Sequence, residues 1–175
     1  RTAFTLRVQT GCAEPCSYCI IPTTRGDPRS RAIPELLAEI DRVSAAGFRE
    51  IALTGVHLGS YGRDLSPQGA LIGLLRQIAA REAEPSRVLF RISSLEPMDC
   101  TPEIVDLVAS SPRFAPHFHL PLQHGDDAML RAMRRPYTAA SFEALLHGIV
   151  ERMPDACIGT DVIAGFPGET QAQAD

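Results

Sequence analysis

Apolar and polar residues alternate through AFTLRVQ (3–9), which predicts a strand. PELLAEIDRVSAAG (34–47) instead sets Leu36, Leu37, Ile40 and Val43 at helical spacing before Gly47. EIALTG (50–55) is expected to be a second strand, followed by a loop, VHLGSYGRDLSPQ (56–68). A helix near ALIGLLRQIAARE (70–82), a strand RVLFRISS (87–94) and a helix TPEIVDLVASS (101–111), opened by Thr101 and Pro102, continue the alternation. FAPHFHLPL (114–122) reads as a fourth strand with internal prolines. DDAMLRAM (126–133) and SFEALLHGIVERM (141–153) read as helices, and CIGTDVIAGFP (157–167) as a fifth strand.

Strands alternating with helices imply an α/β fold of parallel βαβ units with right-handed crossovers. Each strand runs at its carboxyl end into polar or glycine-rich sequence: TGC, TGVHLGSYG, SSLEP, LPLQHGDD and GFPGET. A site assembled from many strand ends suits a (βα) barrel better than an open sheet with one switch-point crevice.

A length of 175 residues suffices for one domain with its own core, and an apolar fraction of 45% fits a globular chain. No apolar run approaches the roughly 20 residues that cross a bilayer, and the N-terminus lacks the pattern of a signal peptide. A cytoplasmic protein with no membrane partner is therefore expected. The formal net charge of −4, from 21 acidic and 17 basic residues, is the reverse of the surplus carried by autonomous nucleic-acid binders. Any nucleic-acid affinity is then local or supplied by another module. The chain opens at Arg1 and closes on GETQAQAD, a helix-like start, and so reads as a domain cut from a longer protein.

Five cysteines, an odd number at uneven spacing, argue against a disulfide framework and leave metal binding as the leading use. Cys12, Cys16 and Cys19 follow a C-x3-C-x2-C spacing just after the first strand, with Cys100 and Cys157 far away in sequence. Structural zinc takes four closed ligands, so a zinc site needs a distant fourth donor. An iron–sulfur cluster held by three thiolates leaves one iron open to a ligand.

That motif, with Tyr18 immediately before the third cysteine, resembles the radical S-adenosylmethionine (SAM) superfamily. The resemblance implies a [4Fe-4S] cluster on Cys12, Cys16 and Cys19 whose free iron chelates SAM. It also implies reductive cleavage of SAM to a 5′-deoxyadenosyl radical, and a partial (βα)6 barrel of TIM type, here truncated near strand five. CSYCIIPTTRGDPRSR, LTGVHLGSYG, RISSLEP, HLPLQHGDDAMLRAMRRPYT and TDVIAGFPGET resemble the central domain of the methylthiotransferases. Within them, GVHLGSYGRD and RSR are most similar to the MtaB type, which acts on threonylcarbamoyladenosine at position 37 of tRNA. The same chemistry on isopentenyl-adenosine or on a ribosomal-protein aspartate is the near alternative. The resemblance further implies an N-terminal domain with a second cluster and a C-terminal TRAM domain that grips RNA, both outside residues 1–175. Its implied partners are the tRNA anticodon loop, an electron donor such as flavodoxin or ferredoxin, and a sulfur donor. A reading from another class, a non-catalytic iron–sulfur or zinc module that binds RNA, predicts metal binding without SAM turnover.

Residue by residue, the resemblance places Tyr18 near the SAM adenine and the backbone of Thr54, Gly55 and Val56 at the SAM amino group. Ser93, Ser94 and Glu96 fall near its ribose and methionine, Gln123 at the reaction chamber, and Asp161 and Gly165 on the adenine side. Arg25 and Arg31 match an RG…SR pattern and are expected to hold RNA phosphates. Arg29 belongs to the same group, whereas Arg131, Arg134 and Arg135 read as solvated surface. His117 and His119 share one strand face, with His124 in the next loop. Interior histidines with hydrogen-bond partners explain them better than a second metal.

Overall fold

The computed structural model describes residues 2–81 and 88–174. Strand β1, Ala3–Arg7, is followed by a short β2, Gln9–Thr10, then helix α1, Ile21–Arg25, and strand β3, Arg29–Ser30. Helix α2, Ile33–Ala45, leads to β4, Glu50–Thr54, and helix α3, Leu71–Ala80, to β5, Leu89–Ile92. Helix α4, Pro102–Ser110, precedes β6, His117–His119. Helices α5, Asp127–Ala132, and α6, Ala139–Arg152, come before β7, Cys157–Gly159, and a short α7, Gln171–Ala174, ends the described chain.

The barrel staves are β1, β4, β5, β6 and β7. β4 pairs in parallel with β1 on one side and β5 on the other, and β6 pairs in parallel with β7. A bridge from Phe90 to Phe114 and a bond from Leu95 N–H to the His119 carbonyl (2.9 Å) join the two groups. Five parallel strands in chain order match the expected partial barrel, and no closed barrel forms among the described residues.

Parity along the strands decides the two faces. The register aligns Phe4 and Leu6 with Ile51 and Leu53, and these with Phe90 and Ile92. Helices α2, α3 and α4 cover this face with Leu36, Ile40 and Val43, then Leu71, Leu74, Leu75 and Ile78, then Ile104, Val105 and Val108. Each set recurs at three- and four-residue intervals, so one stripe per helix faces the sheet. The opposite face carries Thr5, Arg7, Glu50, Arg91, His117 and His119, a polar surface that no helix covers among the described residues.

Several elements differ from the sequence expectation. The strand expected over 3–9 breaks after Arg7, and Gln9–Thr10 turns to pair antiparallel with Arg29–Ser30, a two-residue ladder too short to leave a periodic signal. The strand expected over 114–122 keeps only His117–His119, because Pro116 and Pro121 have no N–H to give a ladder. The fifth strand is likewise limited to Cys157–Gly159, with an isolated bridge at Val162. The helix expected over 141–153 starts earlier, at Ala139, because Thr138 and Ser141 form a capping box. Helix α1, an unforeseen turn, begins at Ile21 with Pro22 in its first positions. Residue 82 of the expected 70–82 helix and residue 87 of the expected 87–94 strand lie outside the described residues.

Phe90 is fully buried on the central β5, within reach of both Phe114 and the Arg113 guanidinium. Phe90→Ala is expected to cost about 3–5 kcal/mol of stability, read as a lower urea midpoint; an unchanged midpoint would mean that this face is not the core.

Candidate active site

The three clustered cysteines sit on the loop between β2 and α1, and Gly11 and Ser17 set its path. Gly11 has φ +76°, and a Cβ there would lie 2.0 Å from the Asp27 carbonyl oxygen. Only glycine lets the loop pass Asp27, after which Cys12 N–H bonds the Gly26 carbonyl at 3.0 Å. Further on, Ser17 docks the loop onto the end of α5: its N–H donates to the Met133 carbonyl (3.2 Å) and its hydroxyl to that of Ala132 (2.8 Å).

Between this loop and the strand ends lies a cavity of about 180 Å3. Cys12, Cys16 and Cys19 all line it, each half-buried and unbridged. Tyr18, Val56, Glu96 and Gln123 join them, so the structure brings seven of the expected residues to one hollow. Among the described residues no three His, Cys, Asp or Glu side chains are gathered tightly enough to hold a single metal ion. A mononuclear tetrahedral site draws all its sulfurs to about 2.3 Å from one centre. A cluster instead spreads three thiolates over three irons, and Cys12, Cys16 and Cys19 bring three sulfur donors to one hollow.

The residue that sequence reading misplaced is Arg135. It is not solvated surface: its side chain is 2% exposed. Its Nη1 donates to Cys16 Sγ at 3.0 Å, its Nη2 is ion-paired with Glu96, and its Nε donates to the Tyr137 hydroxyl at 3.1 Å. Tyr137 passes the chain of bonds on, donating to the carbonyls of Pro121 (2.9 Å) and Leu122 (3.1 Å). Burial raises the Tyr137 hydroxyl above its usual range and pushes Tyr18 up to about 12, so both stay neutral donors. The sequence signal was weak: Arg135 differs from Arg131 and Arg134 only in preceding Pro136 and Tyr137.

His57, on the turn after β4, is a second residue that sequence reading left out. It is buried, with Nε2 2.7 Å from Asp99 Oδ2 and Nδ1 3.6 Å from Glu14 Oε1 on the cysteine loop. Its backbone N–H donates to Gln9 Oε1 at 3.0 Å, and Asp99 Oδ1 accepts from Arg63 at 2.8 Å. Gly59 makes this approach possible, since a Cβ there would lie 2.2 Å from the Asp99 carboxylate. The available signal was its place directly after Val56.

The remaining expected residues do not line this cavity. The Thr54 carbonyl already accepts the Val8 N–H at 2.8 Å, while the Gly55 and Val56 carbonyls have no partner among the described residues. Ser94 Oγ and Asp161 Oδ2 flank opposite nitrogens of His119, at 2.7 and 3.4 Å. Ser93 follows β5, its N–H bonded to the Leu53 carbonyl at 3.0 Å. Gly165, at φ +75°, starts the turn that brings Phe166 edge-on to Tyr18. Glu169 braces that turn, bonding His124 at 3.2 Å and the Phe166 N–H at 2.8 Å, contacts that hold its carboxyl below the usual range. Arg25 and Arg31 lie apart from the cysteines and line a different hollow. Cys100 is buried, its thiol pushed up to about 12 by burial, and Cys157 is exposed on β7.

Comparison with known proteins follows the same lines. The family model described as the radical SAM superfamily matches residues 6–175. A tRNA-2-methylthio-N(6)-dimethylallyladenosine synthase from Parafrankia sp. (strain EAN1pec) is 41% identical over 165 residues, 94% of this chain and 33% of its own length. The threonylcarbamoyladenosine tRNA methylthiotransferase MtaB of Bacillus subtilis is 37% identical over 173 residues, 99% of this chain and 38% of its own. The chain thus spans about a third of the length of the curated relatives it matches. Among solved structures, the radical S-adenosylmethionine methyltransferase TsrM of Kitasatospora setae superposes with a TM-score of 0.72 at 22% identity, over 98% of this chain and 32% of that one. The cobalamin-dependent S-adenosylmethionine radical enzyme OxsB also reaches 0.72, at 14% identity, over 92% of this chain and 24% of that one. At such identities the likeness speaks for the fold alone.

Removing one member of a buried ion pair strands the other. Arg135→Met is expected to destabilise the protein by about 3–5 kcal/mol, and adding Glu96→Gln to restore part of that loss. Additive losses in urea unfolding would show that the two side chains do not depend on each other.

Proposed function

The chain belongs to the radical SAM superfamily, and we propose that it is the catalytic core of a tRNA methylthiotransferase, which places a methylthio group on C2 of an N6-modified adenosine at position 37. The observation that carries this reading is the cavity: three unbridged thiols face one hollow at the strand ends, in a chain whose relatives are tRNA methylthiotransferases over nearly its whole length. Cys12, Cys16 and Cys19 would hold a [4Fe-4S] cluster and leave one iron for SAM. When bound, cluster and SAM supply the electron and the carbon radical that removes a hydrogen atom from the substrate.

The protein's own residues then bind, orient and shield. Arg135, donating to Cys16 Sγ, sets a positive charge against a thiolate, and Glu96 keeps that guanidinium neutralised within the fold. The unpartnered Gly55 and Val56 carbonyls are suited to accept from the SAM amino group, and the Thr54 carbonyl, which already accepts from Val8, has a second lone pair to offer it. Tyr18 and Phe166, ring against ring at 6.5 Å, form an apolar wall suited to an adenine. Asp161, largely exposed beside His119, and Ser93 and Ser94 offer polar partners along the same rim. Gln123, held at φ 72° by bonds to Asp161 and Ile163, turns its backbone where β6 meets the cavity.

Of the two N6 groups in the relatives' names, threonylcarbamoyl is the one proposed. It carries a carboxylate, a hydroxyl and a urea, and the polar His57 and Gln123 in the cavity lining suit it where a dimethylallyl group would want an apolar pocket.

Two measurements test this. After anaerobic reconstitution, dithionite and SAM should yield 5′-deoxyadenosine, abolished by Cys12→Ser, Cys16→Ser or Cys19→Ser and retained in Cys100→Ser and Cys157→Ser. A cluster that forms without turnover would leave a binding module instead. Mass spectrometry of tRNA nucleosides from a deletion strain should show loss of the methylthio form of threonylcarbamoyladenosine. Loss of the dimethylallyl form would reassign the substrate, and an unchanged profile would remove tRNA altogether.

A further inference from the structure

Beside the cysteine cavity the described residues enclose a larger hollow, about 450 Å3, lined by Arg7, Arg25, Arg29 and Arg31. These come from different parts of the chain: Arg7 ends β1, Arg25 ends α1, Arg29 opens β3, and Arg31 follows it. Arg31 is neutralised by Glu39 at 2.7 Å. Arg7, Arg25 and Arg29 have no acidic partner among the described residues, and Arg29 turns inward to donate to the Arg25 carbonyl at 3.3 Å. Arg76, Arg81 and Arg152 are paired, with Glu103, Asp41 and Asp106, whereas the exposed Arg42, Arg49, Arg131 and Arg134 show no ion pair among the described residues; what sets Arg7, Arg25 and Arg29 apart is that one concavity gathers them. Three like charges gathered in a concavity repel one another, and the field they focus there favours an anion.

The geometry points to a site for the backbone phosphates of an RNA strand whose reacting base enters the cysteine cavity. The two hollows share helix α1: Ile21 lines the cysteine cavity, while Thr24 and Arg25 line the arginine one. Ile21 and Arg25 are four residues apart, hence on the same helix face and about 6 Å apart along the axis. A base unstacked into the first hollow therefore leaves its neighbouring phosphates beside the second. Arginine is suited to them, since its planar fork matches two phosphate oxygens at once, and Thr10, Thr24 and Ser30 in the same lining add hydroxyls. Such contacts fix the register of the strand without reading its sequence. Such a site would account for RNA affinity in an acidic chain; Arg31 shares the lining with its charge offset by Glu39, and Arg7, Arg25 and Arg29 supply the unpaired charges.

The inference rests on the tRNA reading above, and the test separates the two. Binding of the protein to unmodified tRNA is measured by fluorescence anisotropy across a salt series, with the wild type, Arg7→Gln, Arg25→Gln, Arg29→Gln, their triple variant and the control Arg42→Gln on the outer end of α2. Each single change should flatten the slope of log affinity against log salt by about 0.7 and the triple variant by about 2. Arg42→Gln should leave it unchanged, and 5′-deoxyadenosine formation without RNA should be equal in all. Wild-type binding with unaltered slopes in the three variants would overturn the arginine site alone. Loss confined to tRNA bearing a threonylcarbamoyl group would overturn it too, by assigning the hollow to that carboxylate. Absence of wild-type tRNA binding would sink both readings.

Discussion

A guanidinium out of reach of water must find its partners within the protein, and Arg135 finds them on three separate stretches of chain. Cys16 belongs to the loop after β2, Glu96 to the turn after β5, and Tyr137 to the segment that leads into α6 and reaches back to the carbonyls after β6. An unpaired buried charge costs several kcal/mol, so each partner is held where the guanidinium needs it. This charge, with the Ser17 bonds to the end of α5, ties the cysteine loop across the strand ends.

The sheet supplies the rigid frame for that arrangement. One face is sealed by three amphipathic helices, and the other is left polar and open, with Arg91 paired to Glu50 and His119 set between Ser94 and Asp161. Because every strand in the stave order runs parallel, all five carboxyl ends emerge on the same side. Residues from Cys12 to Glu169 are thereby collected around one rim. His57 makes the same point locally: a buried imidazole is held by Asp99 from the turn after β5 and faces Glu14 of the cysteine loop.

Much of this was legible before any coordinates. Helices α2, α3 and α4 were visible because their apolar stripes repeat at the helical period, and β1, β4 and β5 because their residues suit half-buried strands. The cysteine triad was visible because its spacing is a local property of the chain. Less was visible where partners are distant: the β2–β3 ladder joins residues some twenty positions apart through two residues on each side. The prolines that shorten β6 were in plain sight, yet only the ladder shows how many bonds they remove.

The charged residues divide most sharply. Arg25 and Arg31 look alike in sequence, and so do Arg131, Arg134 and Arg135, because an arginine carries the same charge whatever faces it. Tertiary structure separated them by giving Arg31 a carboxylate at 2.7 Å, leaving Arg25 unpaired, and burying Arg135 against a thiol 119 residues away in the chain. Sequence by itself determined the period of the longer elements, the spacing of the three cysteines and the side of the sheet on which loops gather, since these depend on neighbours along the chain. Which charges are spent inside the fold and which remain for a ligand depends on neighbours through space, and only the packed chain decides that.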